Sequence, residues 1–216
     1  MSPRSDNSPG VQRPPQQARG RERVTAILDA CARLIVVQTV SKLSVHTIAK
    51  EAGTSIGSMY HFFADKQAVL DALGDRHLEA IGEVTEQIMA ISPAQWVDYQ
   101  SAEVVEHLFM PIIRYIEAHA DFMLMISPGF SAPLRAPQLQ ADIEANYARV
   151  LAIRTPALAG AQLRRVVRTL FGLPLGLVQI TLSNGEFKRE LLLEEAPLAL
   201  TAYLDRIEQQ YAGQGL

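Results

Sequence analysis

Apolar side chains recur at intervals of three and four residues along most of this chain, and this spacing restricts the fold more than any other feature. In the first such segment, after Arg19, the apolar residues are Val24, Ile27, Leu28, Cys31, Leu34 and Ile35. A longer segment keeps the same spacing from Val69 to Ile88. Such spacing places apolar groups on one face of an α-helix, whereas a half-buried strand needs strict alternation. Because no comparable stretch alternates, the sequence predicts an all-α fold.

The second half of the chain carries the same helical pattern, interrupted by prolines. We expect helices over residues 96–118, 139–151, 163–182 and 197–211, with a loop at 127–137. Pro111 and Pro174 lie inside these patterns and are expected to kink or break the helices, because proline lacks a backbone N–H. Pro197 fits the first turn of the last helix, where that N–H is not needed.

The composition excludes several classes of protein. The chain has 216 residues, of which 48% are hydrophobic, and a single cysteine, so it is expected to be globular and to lack an internal disulfide. The first 20 residues hold only Met1, Val11 and Ala18 as apolar side chains, which is not a signal peptide. The longest uncharged stretch, 17 residues from Thr169 to Gly185, is short and polar for a membrane span. We therefore expect a cytoplasmic protein without a membrane partner.

The amino-terminal end differs from the rest in composition and charge. Residues 1–18 hold four prolines among Ser, Gln and Asn, which predicts a disordered arm. Up to Lys66 the chain has nine Lys and Arg against five Asp and Glu, whereas the remainder has eleven against eighteen. This charge difference suggests that the basic end meets a polyanion and that the acidic body does not.

Two short helices follow the first long one. Ser44 and Ser55 are predicted N-caps, since a serine hydroxyl accepts hydrogen bonds from the free amides of a first helical turn. Gly53 separates the two helices, at 44–51 and 55–62, and Asp65 offers a cap for the next helix. These dimensions are typical of a helix-turn-helix, whose second helix lies in the DNA major groove.

The string from Ile48 to Lys66, IAKEAGTSIGSMYHFFADK, resembles the DNA-binding signature of TetR-type repressors. The preceding helix, ILDACARL from Ile27 to Leu34, is also similar, and the resemblance covers about residues 21–73. It implies a helix-turn-helix DNA-binding domain at 19–65 and a helical effector-binding and dimerisation domain at 66–216. It also implies a homodimeric transcription regulator that releases its operator DNA when a small, largely apolar effector enters the second domain.

The resemblance assigns DNA contacts to eight residues: Thr47, Ser55, Ile56, Gly57, Ser58, Tyr60, His61 and Lys66. Hydroxyl groups of Ser58 and Tyr60 can donate to phosphate oxygens, and Lys66 adds positive charge. Ile56 or Tyr60 could also touch a thymine methyl group. The spacing of Met59 and Phe63 instead predicts core positions. Five arginines could reach phosphates or the minor groove (Arg4, Arg13, Arg19, Arg21 and Arg23), although a solvated tail is favoured for the three most amino-terminal.

Met and aromatic side chains suggest where an effector would bind, because such groups suit a pocket for varied apolar molecules. The candidates are Trp96, Tyr99, His107, Met110, Arg114, Phe122, Met123, Tyr147 and Phe171. Ordinary core packing is the alternative for the apolar ones. Arg114 could pair with a ligand carboxylate or with Glu117 or Asp121. The last two helices, 163–182 and 197–211, hold enough Leu and Val to form a four-helix bundle with a second copy.

No catalytic constellation can be assembled from the sequence. It contains neither Glu-x-x-His nor His-Glu-x-x-His, and Cys31 lies on an apolar helix face, where a thiol is inert. We therefore expect no enzyme activity, no metal and no cofactor. The rival hypothesis is a helical protein that binds a ligand or another protein without binding DNA. Salt dependence distinguishes the two, because phosphate contacts weaken steeply as salt rises.

Overall fold

The computed structural model describes residues 16–38, 42–126 and 136–212, and within these ranges it contains helices and no strand. The all-α prediction is confirmed. The helices are α1 (Gln16–Val37), α2 (Val45–Glu51), α3 (Ile56–Phe62), α4 (Lys66–Met89), α5 (Pro93–Asp98), α6 (Ser101–Val104), α7 (Met110–Ala118), α8 (Ala120–Ile126), α9 (Ala136–Arg154), α10 (Gly160–Ser183), α11 (Lys188–Glu190) and α12 (Ala196–Ala212). The π-helical segments Val105–Phe109 and Leu191–Glu195 connect α6 to α7 and α11 to α12.

The chain divides into two compact units after Val69, inside α4. The predicted boundary, between residues 65 and 66, lies four residues earlier, because the first turn of α4 belongs to the amino-terminal unit. Helix α1 begins at Gln16 and not at Arg19, since Gln and Ala continue a helix readily. Residues 16–18 of the predicted arm are therefore helical, and the rest of it lies outside the described residues.

The amino-terminal unit has a small apolar core formed by one face of each helix. It consists of Ile27, Leu28, Ala30, Cys31 and Ile35 from α1, Val45, Ile48 and Ala49 from α2, and Met59 and Phe63 at α3. Met59 is fully buried and Phe63 nearly so, which confirms the core positions predicted for both. The three-to-four spacing thus predicted which face of each helix is buried.

The carboxyl-terminal unit buries a larger core, and Arg154 holds three of its helices together. Its guanidinium donates to the Glu208 carboxylate on α12 at 2.6 and 2.9 Å. It also donates to the carbonyl oxygens of Trp96 and, at 2.7 Å, Tyr99 at the end of α5. Because the Arg154 side chain is almost fully buried, each of these bonds satisfies a group that would otherwise be costly to desolvate.

The helix predicted over residues 96–118 is wrong as a single element. Helix α5 ends at Asp98 and α6 begins at Ser101. The Glu103 carboxylate accepts a hydrogen bond of 2.8 Å from the Gln100 N–H, which starts a new helix there. The apolar period continues across this boundary and therefore gives no sign of it.

Pro111 and Pro197 occupy equivalent positions, each the second residue of an α-helix that follows a π-helical segment. A proline ring clashes with the carbonyl four residues earlier in a regular α-helix, and a π-helical turn changes that hydrogen-bonding pattern. This confirms the predicted change at Pro111 and the first-turn position of Pro197. By contrast, α10 continues from Gly160 to Ser183 through Pro174, so no break occurs there.

Helix α10 is long and apolar enough between Gly160 and Leu182 to cross a membrane, judged by length and composition alone. The uncharged stretch of 17 residues from Thr169 to Gly185 is shorter than this helix. Core helices of soluble proteins share these properties, and α10 packs against α9 and α12. A single helix of this kind is therefore not a sign of a membrane protein.

Candidate nucleic-acid interface and ligand cavity

Helix α2 begins with a reciprocal pair of hydrogen bonds between Ser44 and Thr47. The Thr47 N–H donates to the Ser44 hydroxyl at 3.1 Å, and the Ser44 N–H donates to the Thr47 hydroxyl at 2.9 Å. The Thr47 hydroxyl also donates its proton to the Ser44 carbonyl at 2.8 Å. The N-cap predicted at Ser44 is confirmed, and the one donor of the Thr47 side chain is already used inside the protein.

The turn after α2 depends on Gly53, whose φ of +64° lies in the left-handed region. The Thr54 N–H donates to the Ala49 carbonyl at 3.0 Å and the Gly53 N–H to the Lys50 carbonyl at 3.2 Å. This is the Schellman arrangement that ends many helices, and glycine adopts it without steric cost. The prediction that Gly53 ends α2 is confirmed.

Helix α3 and helix α4 start at the predicted caps. The Ser58 N–H donates to the Ser55 hydroxyl at 3.1 Å, and the Ala68 N–H donates to the Asp65 carboxylate at 2.9 Å. Residues 52–55 connect α2 to α3, so α3 begins directly after the Gly53 turn. Local hydrogen bonds are sufficient to define this arrangement.

One face of α3 is buried through Met59, and the other presents three of the eight predicted DNA contacts, Gly57, Tyr60 and His61, to solvent. Tyr60 is 52% exposed, unusual for a large aromatic side chain. His61 and Gly57 are exposed as well, and the His61 ring lies edge-on to Phe62 at 5.0 Å between centroids. A face with an exposed tyrosine and histidine suits base and phosphate contacts.

Gly57, the second residue of α3, has room for a side chain, as the other described glycines have. A Cβ atom added to Gly57 would meet no other atom within 4 Å, and the backbone is an ordinary helix. Glycine in a helix interior costs about 1 kcal/mol relative to alanine. A close approach by another molecule at this point is a physical reason for leaving out the side chain.

Of the other five predicted DNA-contacting residues four are half-buried, Thr47 among them. Ile56, Ser58 and Lys66 are half-buried, and Ser55 is exposed while its hydroxyl oxygen caps α3. The Arg23 guanidinium on α1 donates to the Ser58 hydroxyl at 3.4 Å, a contact that the sequence did not predict. Arg23 therefore adds a positive charge next to the start of α3.

Further positive charges lie on α1 and α2 in the amino-terminal unit. Arg19 and Arg21 on α1 and Lys50 on α2 are exposed. Glu51 is paired with Arg33 at 2.9 Å, which neutralises the nearest acidic side chain on α2. Positive charge on this unit is the electrostatic condition for binding a phosphate backbone.

The carboxyl-terminal unit contains a cavity of about 250 Å³ between α4, α7, α8, α9 and α10. Its lining residues are Ile81, Ile112, Ile113, Ile116, Phe122, Met123, Leu139, Gln140, Ile143, Tyr147, Phe171, Pro174, Leu175, Val178 and Gln179. Four of the nine predicted ligand contacts lie here: Phe122, Met123, Tyr147 and Phe171. The isoleucines were missed because their spacing marks a buried helix face and does not distinguish a cavity wall from solid core.

The other five predicted ligand contacts do not line the cavity. Trp96 and Met110 are packed in the core, and Tyr99 stacks on exposed His107 with centroids 4.9 Å apart. Arg114 is exposed and forms two hydrogen bonds with the Glu106 carboxylate, at 2.7 and 2.8 Å. His107 and Arg114 are both exposed, and Arg114 pairs with neither of its predicted protein partners, Glu117 and Asp121.

Beside the cavity lies a buried polar cluster that the sequence analysis missed. His77 on α4 is 1% exposed, with Nε2 2.9 Å from the Asp121 carboxylate and Nδ1 2.6 Å from the Tyr115 hydroxyl. Because a carboxylate only accepts hydrogen bonds, Nε2 carries a proton. The His119 ring stacks on Tyr115 with centroids 4.1 Å apart. These contacts tie α4 to α7 and α8.

The environment shifts two pKa values in this cluster. Burial opposes ionisation of Asp121 and is the largest single influence, but the hydrogen bond with His77, the charges of His77 and His119 and a backbone hydrogen bond together outweigh it and lower the pKa of the carboxyl group. Burial, together with the charge of Asp121, raises the pKa of Tyr115 to about 12. Within the described residues no group of three His, Cys, Asp or Glu side chains is placed to hold a metal ion.

Two capped short helices joined by a glycine turn, with an exposed second helix, define a helix-turn-helix DNA-binding protein with a helical carboxyl-terminal unit. Two family models match the chain: bacterial regulatory proteins of the tetR family over residues 27–73, and the tetracyclin repressor-like carboxyl-terminal domain over residues 102–204. The chain belongs to the TetR family of bacterial regulatory proteins. It is a DNA-binding transcriptional regulator, as members of this family are.

Solved structures with this fold include three regulators of low sequence identity. SmeT in complex with triclosan is 21% identical, with 84% of this chain and 90% of that chain covered and a TM-score of 0.59. NalD of Pseudomonas aeruginosa, a repressor of the MexAB-OprM efflux pump, is 18% identical, with 86% and 96% covered and a TM-score of 0.57. PfmR of Thermus thermophilus is 18% identical, with 85% and 97% covered and a TM-score of 0.60. No curated protein matches the chain.

Proposed function

We propose that this regulator is a cytoplasmic repressor that binds a palindromic operator as a homodimer and is released by a small, largely apolar effector. The observation that carries the proposal is α3, which exposes Tyr60, His61 and Gly57 beside the basic residues of α1 and α2. In this assignment α3 enters the major groove and its amino-terminal half approaches the DNA backbone.

The DNA contacts follow from the chemistry of the exposed groups. Tyr60 donates its hydroxyl to a phosphate or places its ring on a thymine methyl group, and His61 contacts a base edge or phosphate. Gly57 allows the DNA backbone to approach α3, with Ser55, Ile56 and Ser58 at its rim. Thr47 contributes through the cap of α2, since its donor is bound to Ser44. Lys66 adds charge at the start of α4.

Exposed apolar side chains on α10 and α12 support a homodimer through these two helices. Leu173 and Ile180 on α10 and Leu198 on α12 are all more than a third exposed, and none of them lines the cavity. Exposed apolar groups that cluster on one surface mark interaction sites. A second copy packed on both helices would form a four-helix bundle with a two-fold axis. Such a dimer carries two recognition helices.

The cavity supports the effector part of the proposal. It is apolar, enclosed by five helices, and lined by Ile81 of α4, the helix that continues into the amino-terminal unit. An effector releases the operator only if it binds better to the conformation that cannot bind DNA. In that conformation the two α3 helices no longer match successive major grooves, about 34–36 Å apart.

Selection of bound duplexes from a random DNA library tests the proposal. We expect enrichment of an inverted repeat, with an affinity that falls about 10³-fold or more between 50 and 200 mM salt if six or more phosphates are contacted. Sedimentation should show a dimer at micromolar concentration. Folded protein that enriches no sequence would contradict the operator, and would favour a helical module that binds a ligand or protein without DNA. A monomer at that concentration would contradict the dimer.

A further inference from the structure

The chemistry of the cavity wall restricts the kind of molecule that the cavity can hold. Among the described residues that line it, twelve of fifteen side chains are hydrocarbon or thioether, and none is Asp, Glu, Lys, Arg or His. A buried charge is costly unless it is paired. A carboxylate or ammonium group on the ligand would find no counter-ion among these residues.

A groove that shares part of the cavity wall also disfavours anions. A groove between α4 and α9 shares Ile81, Leu139 and Ile143 with the cavity wall. The ionisable side chains along this groove are Glu86 and Asp142, both acidic. Like charges repel, so an anionic molecule is disfavoured at the groove as well as inside.

Tyr147 on α9 is the polar group buried in this apolar wall. The residue is 4% exposed, its ring packs on Phe109 with centroids 4.4 Å apart, and no described residue is hydrogen-bonded to its hydroxyl. Burial raises the pKa of Tyr147, which keeps the hydroxyl protonated and neutral. The buried side-chain atoms without a partner among the described residues are on Gln38 and Thr155, so the Tyr147 oxygen keeps some accessible surface, and a ligand in the cavity can form a hydrogen bond with it.

The volume sets the size of that ligand. An apolar cavity of about 150 Å³ holds one benzene ring, so a cavity of this size has room for a molecule of about two fused rings. The polar side chains Gln140 and Gln179 are exposed and lie at the rim, whereas Tyr147 is inside. Tyr147 is therefore placed to distinguish ligands by a polar group buried in the cavity.

We propose that the cavity binds a neutral, apolar molecule of about two rings that carries one hydrogen-bonding group, and that the Tyr147 hydroxyl selects this group. Apolar walls provide most of the affinity, and Tyr147 distinguishes a hydroxylated or carbonyl-bearing ligand from a pure hydrocarbon of the same shape. The claim that this molecule is the effector rests on the proposed function, whereas the claim that the cavity binds it does not.

Calorimetric titration of the full-length protein, without DNA, with four probes of one shape tests this assignment. The probes are naphthalene, 2-naphthol, 2-naphthoate and protonated 2-naphthylmethylamine. We expect 2-naphthol to bind about threefold to tenfold more tightly than naphthalene, the range for one net hydrogen bond. The two ions should bind at least about tenfold more weakly than 2-naphthol, since each would be buried without a counter-ion.

Tyr147→Phe removes the hydroxyl and keeps the ring. The variant should bind naphthalene as the natural protein does, which shows that it is folded, and should lose the preference for 2-naphthol. Tyr99→Phe is the matched control, because Tyr99 lies outside the cavity lining, and it should keep that preference. Retained preference in Tyr147→Phe, equal binding of either ion, or no binding of any probe to folded protein would each overturn the proposal.

The same titrations separate this inference from the proposed function. Tyr147-dependent binding of 2-naphthol by a protein that selects no DNA sequence would retain the ligand class and remove the operator. Operator binding by a protein that binds the two ions as well as 2-naphthol would retain the regulator and remove the selectivity assigned to Tyr147.

Discussion

The two units of this protein carry their functional residues in opposite ways. In the amino-terminal unit the important side chains of α3 point to solvent, and short-range hydrogen bonds at Ser44, Gly53 and Ser55 determine where they lie. In the carboxyl-terminal unit the cavity and the His77 cluster are interior, and they exist only because distant helices pack together. Substitutions in α3 should therefore change binding more than stability, and substitutions in the interior should do the reverse.

The largest expected effect is a loss of stability in His77→Ala. This change leaves the Asp121 carboxylate buried without its partner and removes the hydrogen bond to Tyr115. Breaking a buried pair in this way costs about 3–5 kcal/mol. Urea unfolding followed by circular dichroism measures it, with exposed His46→Ala as the control, expected within about 0.5 kcal/mol of the natural protein. An equally small change in His77→Ala would show that the interior cluster does not stabilise the unit.

Gly57→Ala should change affinity and stability in opposite directions. The added methyl group meets nothing in the protein, so the free energy of unfolding should rise by about 0.5–1 kcal/mol. The same methyl group would hold the DNA backbone away from α3, and we expect operator affinity to fall at least about tenfold, or about 1.4 kcal/mol. Thermal unfolding and fluorescence anisotropy on the selected duplex give the two values. Higher stability with unchanged affinity would remove Gly57 from the interface.

Ser44→Ala tests whether local capping holds the amino-terminal unit together. Loss of the hydroxyl leaves an amide of the first turn of α2 without its partner, which costs about 1 kcal/mol. Thr25→Ala on the exposed surface of α1 is the comparison, because that side chain caps no helix. If both variants unfold at the same denaturant concentration as the natural protein, the cap contributes no stability.

The smallest expected effect is a loss of stability at low pH, and it comes from Asp121 in the interior cluster. Because the pKa of Asp121 is lowered from 3.8 in the folded protein, its ionised form contributes stability above that value. This contribution is lost as the pH falls below 3.8 through the pKa of the folded state. Asp121→Asn should therefore lose less stability than the natural protein over that pH range. Parallel stability curves for the two proteins would contradict this role of the His77–Asp121 contact.

The sequence predicted the amino-terminal unit well because its determinants act over three or four residues. Ser44 caps an amide three residues ahead, and Gly53 is identified as a helix end by its position alone. The same reasoning did not predict the contact between Arg23 and Ser58, because these residues are 35 positions apart. It could not resolve the break before Ser101, since the apolar period runs on through it.

The interior of the carboxyl-terminal unit was predicted less well for a physical reason. His77 meets Tyr115 and Asp121 across 38 and 44 positions, and no periodic pattern encodes such a meeting. Periodicity shows that Phe122 and Tyr147 are buried, but a cavity is a defect in packing, and packing depends on side chains from five helices at once. Four of the nine candidate side chains therefore line the cavity, and the other five lie outside its lining.

The central claim is that the exposed face of α3 binds DNA, and titration of the selected duplex with Tyr60→Phe tests it most directly. The change removes one hydroxyl from a side chain that is 52% exposed, so the melting temperature should stay unaltered. Arg189→Ala, an exposed substitution on α11, is the control for unspecific charge. We expect Tyr60→Phe to weaken binding at least about tenfold, because a hydrogen bond to a charged phosphate contributes about 1.5–3 kcal/mol, and Arg189→Ala to leave it unchanged. Equal affinity of Tyr60→Phe and the natural protein would contradict the phosphate contact of the hydroxyl, and equal affinity of Tyr60→Ala would contradict the assignment of α3 as the recognition helix.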